Sequence, residues 1–272
     1  MSEDKRLYHK PKLTVDELSA ALYVANEELR KKNEELVMME RSRSEMFANI
    51  SHDLRSPITA IRSAIEYASS LSVLDQEVLL QTFQLITTRI VSLEGLINDI
   101  FLMTTLDNRS IEFDMETVPI GPILEEYFYS CEADVKYQER KLLLDVPERF
   151  DVKVKIDTPR MIRVLDNLFT NALKYSSDGD QIELGAKQVE EEIIIWIKDT
   201  GMGISNEYIE KIFERCFTIS TARTPKSNTG SGLGLAIAKL IIDRHEGRIW
   251  CESEVGMGST FFLALPKTLQ YC

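Results

Sequence analysis

Over roughly the first hundred positions, apolar residues recur with a helical period. Leu22, Leu29 and Leu36 repeat every seven residues, and Asn26 and Asn33 lie one turn further along. Leucine at d with asparagine at a fits a parallel coiled coil whose register is set by buried amides. A solvated charged helix is the plainer alternative. The pattern starts near Thr14 or Asp16, after a charged stretch, 1–14, that carries Pro11 and reads as a flexible tail. Carried onward, the frame places Phe47, Leu54, Ile61 and Ala68 at a, and Ile50, Pro57, Ala64 and Leu71 at d. His52 then falls at f, on the face turned away from the seam.

Asp75 is a plausible N-cap for a second helix. Its seam reads Leu79, Phe83, Ile86, Ile90, Leu93, Ile97 and Ile100, with spacings that alternate four and three. The short connection between the helices predicts an antiparallel hairpin. One hairpin cannot cover two such seams, and each uncovered Leu, Ile or Phe forgoes on the order of 1.5–3 kcal/mol. Two hairpins packed as a four-helix bundle would cover them, which predicts a homodimer.

The texture changes after Asn108. Short β-like runs at 111–118, 141–146, 151–156, 181–188, 193–198, 248–254 and 259–265 alternate with helical stretches near 121–138, 159–175, 206–214 and 232–246. That is an α+β domain with a mixed or antiparallel sheet, and the break near 107–110 is the predicted boundary. The expected order is a tail over 1–14, a coiled-coil helix over 15–46, a hairpin over 47–107 and an α/β domain over 108–268.

Composition narrows the function. The 272 residues carry a formal charge of −12, which argues against broad electrostatic binding to nucleic acid. No run approaches the roughly 18 apolar residues of a membrane span, and no secretory signal opens the sequence. Four scattered cysteines without CxxC pairing argue against zinc and fit reduced thiols in a cytoplasm.

Three stretches suggest chemistry. In "DNLFTNALKYS", Asn167 and Asn171 share a helix face with Lys174 three residues on. Amide oxygens and a lysine suit a hydrated Mg²⁺ with phosphates, although a polar helix surface has the same spacing. In "IIIWIKDTGMGI", a strand ends at Asp199 and turns through Gly201 and Gly203. A carboxylate there can accept a hydrogen bond from an amine on a base, and a plain strand-end turn is the alternative. In "NTGSGLGLAIAK", Gly230, Gly232 and Gly234 open an apolar helix whose N-terminus favours anions. The long polar loop before it, 216–229, would serve as a lid.

In this order, behind a His-bearing hairpin, the three stretches resemble the sensor histidine kinases of two-component signalling. "SHDLRSP" looks like the family's phosphoacceptor box; "DNLFTNALKYS", "DTGMGI", "IFERCF" and "GSGLGLAIAK" look like its N, G1, F and G2 boxes. The resemblance covers roughly residues 44–268. It implies a dimerisation and phosphotransfer hairpin that forms a dimeric four-helix bundle, followed by a Bergerat-type α/β sandwich that binds ATP. It implies that His52 attacks the ATP γ-phosphate and that Asp53 acts as its acid/base partner, where the family more often has Glu. Asn171 with Asn167 would hold Mg²⁺, Lys174 would contact phosphate, Tyr175 would pack near adenine, and Asp199 would take the adenine amine. Gly201, Gly203, Ile204, Thr229, Gly230, Gly232, Leu233 and Gly234 would shape the pocket and lid hinge, Phe213 would anchor the lid, and Arg215 would reach phosphate. Ser56 would support dephosphorylation of the partner, a response-regulator receiver domain. The setting implied is cytoplasmic, for a soluble kinase or the cytoplasmic portion of a membrane sensor.

One departure stands out. Cys216, Phe217 and Thr218 follow the F box where the family often carries an aromatic pair and a basic residue. Arg215, Arg223 or Lys226 would substitute. The departure also motivates a scaffold that binds nucleotide without transfer; a simple ATPase is a third reading, disfavoured by the hairpin.

Overall fold

The computed structural model describes residues 14–70, 76–107, 112–219 and 232–268. Asp75 and Leu71, most of the break at 107–110, and Thr229, Gly230, Arg223 and Lys226 lie outside these. Contacts divide the chain into two compact units, Met1–Asn49 and Ile50–Cys272.

Helix α1 runs Val15–Ser70. It opens on a reciprocal cap: Thr14 N–H donates to Glu17 Oε2 at 2.8 Å, and Glu17 N–H donates to Thr14 Oγ1 at 3.3 Å. In the first unit the described apolar side chains apart from the half-buried Met46 are exposed, Leu22, Leu29 and Leu36 each by 60% or more. Surface pairs such as Lys32 with Glu35 at 2.9 Å add a few tenths of a kcal/mol each to such a helix.

In the second unit, α1 is followed by α2, Gln76–Asp107. Ile50 and Ala64 are buried and Leu54, Pro57, Ile61 and Ala68 are half-buried, whereas His52 is exposed. Pro57 stands inside the helix. It has no N–H, so the carbonyl of Asp53, four residues back, has no helical donor. On α2 the seam divides. Leu79, Ile86, Leu93 and Ile100 are half-covered, but Phe83, Ile90 and Ile97 are exposed, and Leu96 and Met103 take the buried places. Leu80, Phe83, Ile90, Val91, Ile97 and Phe101 thus form a second apolar stripe, matched on α1 by Ile58 and Ile65.

Beyond the hairpin, β1 (Glu116–Pro119) pairs antiparallel with β3 (Lys153–Ile156), enclosing α3 (Ile120–Ala133) and β2 (Lys141–Asp145) in sequence. Next come α4 (Thr158–Tyr175), β4 (Gln181–Val189), β5 (Glu192–Asp199), α5 (Gly234–Arg244), β6 (Arg248–Glu254) and β7 (Gly258–Pro266). The five-stranded sheet has the order β2-β4-β5-β7-β6, parallel only between β2 and β4. Helices α4 and α5 pack on it with Met161, Val164, Leu165, Leu168, Ile237, Ile241 and Ile242 fully buried. On β5 the buried side is Ile193, Ile195, Ile197 and then Asp199. Strand alternation thus carries a carboxylate to the end of the apolar face.

The helix expected near 206–214 is absent. That stretch forms turns and a 3₁₀ helix, Lys211–Phe213. Tyr208, Lys211 and Glu214 each donate to the carbonyl three residues back, and Glu214 turns to an extended ψ of 151°. Three-residue bonding gives poorer geometry than an α-helix and holds only in short pieces.

Candidate functional site

The sheet end, α4 and α5 form the candidate nucleotide site. Asp157 caps α4, its Oδ1 accepting from Arg160 N–H at 3.1 Å, with Pro159 in the first turn. The capped helix carries Asn167, Asn171, Lys174 and Tyr175 along its partly exposed side. Asn167 Nδ2 donates to the Gly234 carbonyl at 3.0 Å, so its Oδ1 is the atom left to face a ligand. The Asn171 amide makes no side-chain hydrogen bond with any described residue. Two amide oxygens one turn apart suit the oxygen preference of Mg²⁺, so these residues fit the ion. Lys174 Nζ lies 4.9 Å from the ring centroid of Tyr175, which is 45% exposed.

Asp199 is 4% exposed. Burial pushes its carboxyl above the usual range, the backbone N–H groups of Gly201 and Ser259 pull it back, and the Asp180 charge raises it further. Its Oδ1 accepts from Gly201 N–H at 2.9 Å. The turn that follows is tied on three sides: Thr200 N–H to the Gln181 carbonyl at 3.1 Å, Met202 N–H to the Tyr175 carbonyl at 3.1 Å, and Gly256 N–H to the Met202 carbonyl at 2.8 Å. Gly203 has φ +69°, and a side chain there would meet the Glu254 carbonyl oxygen at 2.0 Å. Ile204 N–H donates to Ser253 Oγ at 2.7 Å, and Ser253 Oγ donates on to the Gly258 carbonyl at 2.8 Å. The sequence reading passed over Ser253 and Ser259. They are a cross-strand pair at the ends of β6 and β7, and only their place at strand ends beside a glycine hinted at a role.

Around the predicted lid, Phe213 packs edge-on against Phe261, centroids 6.4 Å apart. Cys216, at φ +57°, donates its N–H to the Gly232 carbonyl at 3.1 Å, which joins the chain on either side of residues 220–231. Leu233 is fully buried, and α5 begins at Gly234 with no side-chain cap, so its first N–H groups are available to an anion. Arg215 and Thr218 are exposed.

On the hairpin, the His52 side chain is 80% exposed, and its Nδ1 lies 3.3 Å from Asp53 Oδ1. That leaves Nε2 open to solvent. Ser56 is exposed one turn along the same helix.

Known proteins share both halves. Residues 42–109 match the His Kinase A (phospho-acceptor) domain, and residues 156–269 match the histidine kinase-, DNA gyrase B- and HSP90-like ATPase family. Sensor protein kinase WalK of Staphylococcus aureus is 34% identical over 230 residues, 84% of this chain and 54% of that protein. A WalK of strain JH9 has the same identity over 37% of its length. The chain thus spans about half or less of the curated relatives it matches. Among solved structures, the Acinetobacter baumannii histidine kinase AdeS superposes with a TM-score of 0.63 at 22% identity, over 80% of this chain and 98% of that one. Histidine kinase ThkA, in complex with response regulator protein TrrA, superposes with a TM-score of 0.65 at 25% identity, over 90% of this chain and 66% of that one.

Proposed function

Because the chain belongs to the sensor histidine kinases of two-component signalling, we propose that it transfers the γ-phosphoryl group of ATP to its own His52 and then to an aspartate of a response-regulator receiver domain. The observation that carries this reading is an exposed imidazole held at 3.3 Å by Asp53, in a hairpin that leads to a folded ATPase-type domain. Asp53 orients the ring through Nδ1 and takes up its positive charge, which makes Nε2 the better nucleophile. Asp199 accepts from an exocyclic amine on the base, and Tyr175 offers a ring face beside it. Asn167 and Asn171 hold Mg²⁺, which when bound offsets the phosphate charge. Lys174 and the N–H groups at the start of α5 meet the phosphates.

The same reading divides the chain into a signalling helix over 15–46, a dimerisation and phosphotransfer hairpin over 47–107 and an ATP-binding domain over 108–268. The second apolar stripe on α2 and the exposed Leu22, Leu29 and Leu36 support a homodimer. ThkA is described in complex with a response regulator, which supports that class of partner. No described helix is long and apolar enough to cross a membrane; with ATP as substrate, the reading places the chain in the cytoplasm.

Incubation with γ-labelled ATP and Mg²⁺ tests this. The label on the protein should survive alkali and be lost in acid, as a phosphoramidate is. His52→Gln should abolish it with nucleotide affinity intact, and Asn171→Asp should weaken Mg·ATP binding by adding a charge beside metal and phosphates. An exposed Thr218 at the end of the F box favours one second reading, a scaffold that binds nucleotide without transfer. ATP binding with no labelled protein would select it.

A further inference from the structure

The second unit contains a contact that the proposed reaction does not require. Asp99, on α2, forms an ion pair with Arg163, on α4 of the ATP-binding domain. Asp99 is 15% exposed and Arg163 37%. Burial pushes the Asp99 carboxyl up while the guanidinium pulls it down, so the partner offsets part of the cost of burying the charge. Next to this pair, Met103 and Leu106 are the most buried residues on either hairpin helix, 1% and 3% exposed. The rest of α2 is half-covered at best apart from Leu96. What covers this end includes α5, which lies against α2. Arg244, in the last turn of α5, directs Nη1 at the Leu106 carbonyl at 3.5 Å. Just past the hairpin, the guanidinium groups of Arg160 and Arg244 lie 4.7 and 4.9 Å from the ring centroid of Phe113. Five residues separate Asp107 from Phe113, six steps that reach at most about 22 Å, so seating the domain on its own helix costs little loop entropy.

We propose that the ATP-binding domain docks on the C-terminal end of its own α2 through Asp99–Arg163 and the Met103–Leu106 patch, and that this seat presents the nucleotide to His52 of the same chain. The inference rests on the kinase reading. A second observation gives the seat its direction. The Asp53 carboxylate, adjacent to His52, lies close enough to Cys216 at the base of the lid for its charge to act on that thiol, after burial as the larger influence. In this scheme Asp99–Arg163 keeps Cys216 within electrostatic reach of Asp53, the neighbour of His52. Asp99 and Arg163 touch no substrate in this scheme; they are positioning residues.

Two experiments separate the seat from the chemistry. Heterodimers purified through two different tags, one chain carrying Asp99→Cys and the other Arg163→Cys, are treated with a short bismaleimide. No dimer-sized band should form, while a chain carrying both substitutions should give the internal cross-linked peptide. A dimer-sized band, or no internal cross-link, overturns the seat whether or not the protein is a kinase. Heterodimers of His52→Gln with Asn171→Asp chains are then given γ-labelled ATP beside tagged wild-type dimers. Neither mutant chain should be labelled; label on the Asn171→Asp chain overturns same-chain transfer. An unlabelled wild type would be a failure of the kinase reading, with the cross-link still deciding the seat. Asp99→Lys should slow labelling about tenfold with ATP affinity unchanged, and Arg163→Asp in the same chain should restore most of the rate. A faster Asp99→Lys protein would make the contact a brake and overturn its positioning role.

Discussion

The Asn167 side chain donates to the carbonyl of Gly234 at 3.0 Å and so ties α4 to the first residue of α5. The same amide faces Gly234 from the other direction: a Cβ built on that glycine would lie 3.3 Å from Asn167 Oδ1, the atom proposed to hold the metal. Gly234→Ala should push the amide aside without unfolding the domain, and weaken Mg·ATP binding by roughly five- to tenfold, about 1 kcal/mol. Titration calorimetry with and without Mg²⁺ would measure it. Equal loss in both conditions would mean that the amide does not serve the ion.

Gly203 and Gly256 both have positive φ, +69° and +81°, but differ in surroundings. A methyl group at Gly203 would strike the Glu254 carbonyl, whereas nothing lies within 4 Å of one at Gly256. Gly203→Ala should destabilise by about 2–4 kcal/mol and Gly256→Ala by about 1 kcal/mol. Denaturant melts of the two variants provide the comparison, and equal losses would show that backbone strain alone decides both.

His245 is 2% exposed and bonded at both nitrogens. Nε2 accepts from Asp157 N–H at 2.9 Å, and Nδ1 donates to the Ile241 carbonyl at 2.8 Å. Burial holds its pKa below 6.5, with Asp157 opposing and Arg160 assisting. The unfolded chain therefore takes the proton first. The contribution of His245 to stability should be constant above pH 6.5 and fall as the pH drops from there through the lower folded-state value. A proton on Nε2 would face the Asp157 N–H from which it now accepts, which adds to the loss. Thermal melts between pH 7.5 and 5 should show a shallower slope in His245→Asn than in wild type, whatever their absolute stabilities. Parallel slopes would assign the acid sensitivity elsewhere.

Ser56, exposed one turn beyond His52, keeps a hydroxyl without threonine's stiff χ1. With purified phosphorylated regulator and ADP, Ser56→Ala should slow dephosphorylation and Ser56→Thr should speed it, with His52 labelling unchanged. Three equal rates would remove Ser56 from that chemistry.

Periodicity made the hairpin legible. A seven-residue repeat fixes which side of α1 turns inward, and Ile50, Ala64 and the half-buried Leu54 and Ile61 follow it. On α2 the same rule gave a single seam where the chain has two faces, because spacings of three and four do not say which of two adjacent stripes meets α1 and which remains outside. Asp199 was legible through strand alternation plus a glycine turn. Its support by Ser259, and the bond from Ile204 N–H to Ser253, were not, since they depend on the pairing of β5, β7 and β6. Asp99–Arg163 was equally hidden: two charges 64 residues apart carry no periodic signal. The lost helix at 206–214 shows the limit of local pattern, where apolar spacing was right and the bonding was three-residue.

Pro57 leaves the Asp53 carbonyl without its helical donor. A rod that is evenly braced yields anywhere along its length; one that lacks a brace yields there first. The turn from Asp53 to Pro57 is therefore the most compliant part of α1, and it is the turn that holds the carboxylate against the His52 ring. Torsion entering the helix concentrates at the residues that set the imidazole's orientation, so the proposed acceptor feels a mechanical load before the packed positions on either side have moved.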